Sequence, residues 1–259
     1  MQLTGNTILI TGGTSGIGLE LAKELIGRKN TVVITGRKKE KLDQAKKQLP
    51  QVHVIRSDVS QAAEIQALLE RVTGEFPDLN ILINNAGVMR SINLVADKNS
   101  KDDITDEIDI NLKGPIRMAQ AFLPHLKRKP HSAIVNVSSG LAFVPLPISP
   151  VYCATKAALH SFTLSLRAQL IRTNVRVFEL APPATQTDIL SDFDPEVMKG
   201  VSVMKVGDMV KAALEGMEQD RLEIRPGQSN QLKFMSRLAP EFILKQMSRS
   251  VDHMLSAPG

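Results

Sequence analysis

Short β-branched runs alternate with longer amphipathic stretches along this chain, and the runs are predominantly apolar, not apolar at every second position. Residues 7–10, 31–35, 52–55, 81–83, 133–137 and 175–180 read as strands. Residues 16–28, 39–48, 62–75, 103–127 and 151–173 read as helices. A strand that is apolar on both sides must be covered on both sides, as in a parallel sheet whose crossover helices pack on each face. Strand–helix units repeated as βαβαβ twice over predict an α/β fold, a Rossmann-type doubly wound parallel sheet with helices on both faces. No linker, repeat or low-complexity stretch divides residues 1–259, so a single domain is expected.

The turn after the first strand narrows the reading. Residues 11–18 are TGGTSGIG, directly between a strand and a helix. Gly12 permits a tight turn, Gly16 lets backbone approach a pyrophosphate, and Gly18 lets the helix close on the strand. Thr14, Ser15 and Ile17 fill the rest of a loop whose helix N-terminus offers N–H groups and a positive dipole end to phosphate. The strand–turn–helix context is what gives a glycine triplet this meaning, and residues 1–259 become one NAD(P)-binding domain. The end of the second strand meets the adenine ribose. An acidic side chain there would bond a 2′-hydroxyl, and a basic one would neutralise a 2′-phosphate. Gly36 stands at the acidic position and Arg37 follows, a guanidinium able to hold phosphate through two hydrogen bonds. NADP(H) is therefore favoured, with NAD(H) the alternative, since Arg37 also begins a basic helix face and the glycine loop adds no cation.

The TGxxxGxG spacing resembles that of the short-chain dehydrogenase/reductase family, in its single-domain branch of roughly 250 residues. The longer branch would have glycine where this chain has Ser15. Further motifs carry the resemblance in the family's order: Asp58-Val59, the Asn84-Asn85-Ala86-Gly87 turn, Asn111, Ser138-Ser139, and Tyr152 with Lys156. Tyr152 follows Ser139 by thirteen residues, the spacing the family shows. The resemblance implies that Asp58 and Val59 lie beside the adenine, and Asn85, Ala86 and Gly87 on the adenine-ribose side. It implies a catalytic tetrad of Asn111, Ser139, Tyr152 and Lys156. It also implies a small-molecule carbonyl or secondary alcohol as substrate, and a homodimer or homotetramer built through the helices around residues 103–128 and 151–173.

Carbonyl reduction needs a hydride on carbon and a proton on the developing alkoxide. Tyrosine ordinarily titrates near pH 10, too high for easy exchange at neutral pH. A lysine four residues later lies on the same helix face, and its charge favours the tyrosinate. Lys156 is therefore expected to draw the pKa of Tyr152 down, and by resemblance to bind the nicotinamide ribose. Ser139 would hold the substrate oxygen as it gains charge, and Asn111 would position a water completing a proton relay. The contrasting reading is a non-catalytic dinucleotide-binding sensor or scaffold on the same fold, for which the pair Tyr152 and Lys156 would have no use.

One departure falls after the sixth strand. The family usually has Pro-Gly there, and this chain has Pro182-Pro183, with Thr185 and Thr187 following. Pro183 fixes φ and removes an N–H, so a stiffer loop is expected near the carboxamide that Thr187 is placed to meet. A similar Pro-Pro pair occurs in a bacterial branch of the family described as DltE-like. Residues 188–205 occupy the stretch that covers the substrate in the family. Leu190, Phe193, Val197, Met198, Val201 and Val203 would line an apolar lid there, or simply belong to the core. Residues 232–255 are amphipathic and divided in two by Pro240. Packing on the same or a neighbouring subunit is favoured over contact with a membrane surface.

Composition excludes several classes. The net charge of +5 comes largely from one stretch, residues 37–47, that reads as a solvated helix face, so no nucleic-acid partner is expected. His53, His125, His131, His160 and His253 are scattered without metal-ligand spacing. The lone Cys153 cannot form an intrachain disulfide and reads as structural. It fits a reducing compartment, and with no signal pattern and no apolar run of about 20 residues the expected location is the cytoplasm.

Overall fold

The computed structural model describes residues 1–95, 103–191, 193 and 201–256. Seven parallel strands form one sheet: β1 (Thr7–Thr11), β2 (Thr31–Gly36), β3 (His53–Arg56), β4 (Leu79–Asn84), β5 (Ser132–Val137), β6 (Val175–Leu180) and β7 (Glu223–Ile224). Their order is β3-β2-β1-β4-β5-β6-β7. The chain reverses its direction of winding between β1 and β4, and ligands of such sheets sit at the carboxyl ends of the strands beside that switch.

Helices α1 (Gly16–Gly27), α2 (Lys39–Gln48) and α3 (Ala62–Glu75) follow the first three strands. Each strand sends neighbouring residues to opposite cores. Ile8, Ile10, Val32, Ile34, Ile81 and Ile83 pack with Leu21, Leu25, Leu42 and Ala45 of α1 and α2. Leu9, Val33, Leu82, Ile134 and Val177 face the other side, against Ile65, Leu68 and Val72 of α3. This two-sided burial is why the strands carry no polar alternation. It confirms the doubly wound α/β class.

The stretch 103–127 is not one helix. α4 (Asp106–Ile108) passes through a π turn, Asp109–Lys113, into α5 (Gly114–Leu126). A π turn sets backbone carbonyls out of the α ladder, and this one holds Asn111. After β5, a 3₁₀ turn (Gly140–Ala142) leads to α6 (Pro150–Gln169), which ends short of residue 173. A buried side-chain chain links the sheet to α6: Asn84 Nδ2 donates to Asn136 Oδ1, and Asn136 Nδ2 to Thr163 Oγ1, both at 2.9 Å.

Beyond β6 lie α7 (Asp188–Ser191), α8 (Val206–Glu218) and three tail helices, α9 (Gln228–Leu238), α10 (Pro240–Met247) and α11 (Arg249–Ser256). The tail therefore breaks twice, not once. Ala239, before Pro240, leaves helical geometry with φ −144° and ψ 64°, and the second break falls at Ser248. Within the expected lid 188–205, Val197 and Met198 lie outside the described residues, as does the side chain of His253.

Candidate active site

A cleft of about 840 Å³ opens along the carboxyl ends of the strands. Every residue expected to touch the cofactor lines it except Gly18, from Gly12, Thr14, Ser15, Gly16 and Ile17 through Arg37, Asp58, Val59, Asn85, Ala86 and Gly87 to Pro182, Thr185 and Thr187. Gly18 lies behind the wall. A Cβ there would meet the Gly12 carbonyl oxygen at 2.4 Å and Asn85 Nδ2 at 2.5 Å, so its part is close packing and not contact. Gly12 and Gly16 both have positive φ, 64° and 53°, and a Cβ on Gly12 would come within 2.8 Å of the Ala86 Cα. The cradle is thus kept clear by backbone that only glycine adopts without strain.

The neighbouring turn holds this cradle in place. Thr11 Oγ1 accepts from the N–H groups of Asn85 at 3.0 Å and Ala86 at 3.1 Å. Asn85 Nδ2 in turn donates to the carbonyls of Thr11 and Gly12, both at 3.0 Å. At the far end, Asp58 Oδ1 accepts from the backbone and hydroxyl of Ser60. Arg37 is exposed there, and Lys38 and Lys41 line the same end, the latter a contributor the sequence reading did not single out. A Cβ on Gly36 would lie 2.8 Å from the Thr14 methyl, which crowds any acidic side chain at that position.

The opposite end holds Ser139, Tyr152 and Lys156. Ser139 is 8% exposed, and its hydroxyl accepts from Leu141 N at 3.1 Å, capping the 3₁₀ turn. Ser138 points the other way: its hydroxyl donates to the buried carboxylate of Glu179 at 2.5 Å, and His160 Nδ1 meets the second oxygen of that carboxylate at 2.7 Å. Lys156 Nζ donates to Val137 O at 2.9 Å and sits 5.6 Å from the centre of the Tyr152 ring.

The electrostatics depart from the expectation. Desolvation pushes the Tyr152 hydroxyl up to about 12, and its hydrogen bond with Ser139 pulls it only part of the way back. Burial lowers Lys156 to about 8. Burial is the largest cause of both shifts, and Lys156 is not among the groups that move Tyr152. Cys153, 4% exposed, is pushed up to about 11 by burial, which fits its structural reading.

Asn111 is fully buried and does not line the cleft. Its Oδ1 accepts from Val88 N at 2.9 Å and its Nδ2 donates to Val88 O at 2.8 Å, so its side chain is committed to the backbone after the Asn84–Gly87 turn. Gly87 lies between it and Lys156, since a Cβ there would be 3.3 Å from Asn111 Oδ1 and 3.5 Å from Lys156 Nζ. One turn before Asn111, Glu107 is fully buried, with only Arg90 Nε facing it, at 3.6 Å among the described ion pairs. Its charge raises the pKa of Tyr152 and of Cys153. No motif marks Glu107 in the sequence; its only signal is an acidic residue at helical spacing from Asn111.

The loop after β6 is stapled on both sides. Pro182 O accepts from Gly140 N at 2.8 Å, Thr185 Oγ1 donates to Pro183 O at 2.8 Å, and Met204 bonds to both Ala184 and Gln186. The tail completes the cleft. Gln228, Gln231, Leu232 and Met235 of α9 and Ile243, Gln246 and Met247 of α10 line it, beside Leu190, Phe193 and Val201 from the expected lid. The tail thus packs on its own subunit through one face, while Phe234, Leu238 and Phe242 stay exposed on the other. No helix among the described residues is long and apolar enough to cross a membrane.

Residues 6–197 match the family model of short chain dehydrogenases. The chain is 41% identical over 251 residues to the oxidoreductase DltE of Bacillus subtilis (strain 168), covering 96% of this chain and 98% of that one. Among solved structures it resembles a short chain dehydrogenase from Burkholderia cenocepacia J2315 in complex with NADP, at 27% identity and a TM-score of 0.82, over 95% of this chain and 99% of that one. It also resembles a 3-ketoacyl-(acyl-carrier-protein) reductase from Brucella melitensis complexed with NADH, at 28% identity and a TM-score of 0.75, over 83% and 91% of the two chains. The chain belongs to the short chain dehydrogenase family and is an enzyme of the oxidoreductase class. The similarity to DltE accords with the branch that the Pro182-Pro183 pair indicates.

Proposed function

We propose that this enzyme transfers a hydride between NADP(H) and a small carbonyl or secondary alcohol, using Asn111, Ser139, Tyr152 and Lys156. The observation that carries the reading is the single cleft in which the glycine cradle and the exposed cation Arg37 lie at one end and Ser139, Tyr152 and Lys156 at the other. The cradle fits a dinucleotide, since glycine backbone, a helix N-terminus and cations converge where pyrophosphate and a 2′-phosphate would lie. When bound, the nicotinamide supplies or accepts the hydride.

The protein's own residues handle the proton. With its pKa near 12, the Tyr152 hydroxyl keeps its proton at neutral pH and is set to give it to an alkoxide, which favours carbonyl reduction. Ser139, bonded to Tyr152, holds the substrate oxygen next to that hydroxyl. The Lys156 ammonium, largely charged at pH 7, then offsets the tyrosinate that forms. Asn111 fixes the π turn whose displaced carbonyls would hold the water that returns the proton.

The first test is a fluorescence titration with NADPH and NADH separately, since it needs no substrate. Tighter binding of NADPH supports Arg37 as the phosphate ligand, and the reverse preference assigns the cofactor as NAD(H). Binding of neither would overturn the reading. Tyr152→Phe is expected to abolish turnover while cofactor affinity changes little. Unaltered turnover in that variant would overturn the mechanism built on Tyr152, whereas cofactor binding without any carbonyl or alcohol turnover would favour the non-catalytic nucleotide-binding reading.

A further inference from the structure

The hydride-transfer reading leaves the substrate open, and the wall facing Ser139 and Tyr152 bears on it. That wall is built from segments far apart in sequence. Leu190 and Phe193 come from the stretch after β6, and Leu232, Met235, Ile243 and Met247 from α9 and α10. The tail is fixed at this end by contact with the catalytic turn. A Cβ on Gly140, next to Ser139, would meet Ser229 Oγ at 2.7 Å and the Leu232 side chain at 3.2 Å. Gly227, just before α9, stands against Pro183 and Met204.

Charge is distributed unevenly along the cleft. Arg37, Lys38, Lys41 and Asp58 lie at the end assigned to the adenine ribose, and Lys156 lies at the reacting centre. Asp188 is engaged within the protein. The polar residues that α9 and α10 add are Gln228, Gln231 and Gln246, all neutral amides and all exposed, so they form a rim. Phe193 and Ile243, 8% and 7% exposed, lie deeper. An ionised substrate arm would find no counter-charge among these tail residues, whereas an apolar arm would cover thioether and aliphatic surface.

Building on that reading of the site, we propose that the substrate is a neutral carbonyl compound with an extended aliphatic arm, a medium-chain aldehyde or ketone, whose arm lies between Leu190 and Phe193 on one side and α9–α10 on the other. The reacting oxygen sits at Ser139 and Tyr152, and the arm leads away toward Met235 and Met247. The tail is then a specificity element, not packing alone.

The test separates arm binding from chemistry. Unreactive primary amides of four to ten carbons are titrated calorimetrically into the full chain without nucleotide, and reduction of n-alkanals of matching length is followed with NADPH. Affinity and kcat/KM are each expected to rise about fourfold per added methylene, the effect of burying one CH₂. Met235→Gln and Met247→Gln, at half-buried positions, are expected to flatten both slopes. Tyr152→Phe is expected to remove turnover and keep the binding slope. Turnover that does not depend on chain length, with amide affinity equally flat, would overturn the arm site and leave hydride transfer standing. A binding slope without nicotinamide-dependent turnover would support the arm site while overturning the hydride-transfer reading. If either variant fails to fold, the wild-type slope alone still decides.

Discussion

Lys156→Met should separate stability from catalysis. The Lys156 ammonium is 3% exposed, and burial holds its pKa at about 8 against an ordinary 10.5. That drop corresponds to about 3 kcal/mol disfavouring the charged form in the folded protein. The sign follows from proton binding. At pH 7 both folded and unfolded chains hold the proton, so folding carries the full desolvation cost. Between about pH 8 and 10.5 the unfolded chain binds more protons, and stability rises with pH. Above that window both forms are neutral and the cost is gone. Methionine has similar length and no charge, so the substitution removes this cost at pH 7. It also leaves the Val137 carbonyl without its donor, at about 1 kcal/mol. The net expectation is a gain of about 2 kcal/mol, or a Tm higher by about 4–8 °C for a domain of this size. Near pH 10.5 the gain should vanish and the variant should become slightly less stable than the wild type. Thermal melts followed by circular dichroism, without nucleotide, at pH 7 and pH 10.5 measure this directly, with carbonyl reduction expected to be lost in parallel. A variant less stable at pH 7, or a stability difference that is the same at both pH values, would refute the reasoning.

Three further substitutions probe the two ends of the cleft. Gly18→Ala places a Cβ 2.4 Å from a backbone carbonyl that cannot move without moving the cradle; melts should show a loss of about 1–3 kcal/mol, and nucleotide titration roughly tenfold weaker binding. Arg37→Ala should weaken NADPH roughly tenfold, the scale of one charge-assisted hydrogen bond, and leave NADH unchanged; equal losses for both would move Arg37 out of the phosphate site. Glu107→Gln removes a buried charge that raises the pKa of Tyr152, so the alkaline limb of reductive kcat/KM should shift to lower pH. A limb that stays put, or moves up, would mean that Arg90 already neutralises Glu107.

The two ends of the cleft differ in how far they can be read from the chain, and the reason is physical. The cradle is local: β1, the turn and α1 are consecutive, so Gly12, Gly16 and Gly18 declare their geometry within eight residues. The proposed catalytic pair is nearly as local, because Tyr152 and Lys156 share one helix face. Elements beyond β6 follow a different logic. β7 is two residues long, too short for any period, and exists because β6 offers it an edge. α8 is not among the helices read from the sequence, although Met209, Val210, Ala213, Leu214 and Met217 recur at helical spacing. The tail shows a readable apolar stripe, yet a stripe says which face is covered and not what covers it. The approach of Ser229 and Leu232 to Gly140, with Gly227 against Pro183 and Met204, turns α9 toward the cleft. The pKa of Tyr152 is equally out of reach, since lysine spacing is visible in the sequence but the depth of desolvation is a property of the assembled cleft.

That division has a consequence for function. Residues that hold a phosphate or move a proton work through backbone geometry and fixed charge, so their positions in the chain are tightly constrained. A wall for an aliphatic arm asks only for apolar volume, which Leu190, Phe193, Leu232, Met235, Ile243 and Met247 supply from three separate elements and loops. Any of these could be exchanged for another apolar side chain at modest cost in stability. Such an exchange would change the shape of the cleft beside Ser139 without disturbing the cradle. The cofactor end and the reacting centre are therefore expected to persist across relatives of this fold, while the tail helices set which carbonyl compound reaches Tyr152. Exchanging residues 228–256 for the corresponding tail of a relative should transfer the chain-length dependence of reduction and leave the cofactor preference unchanged.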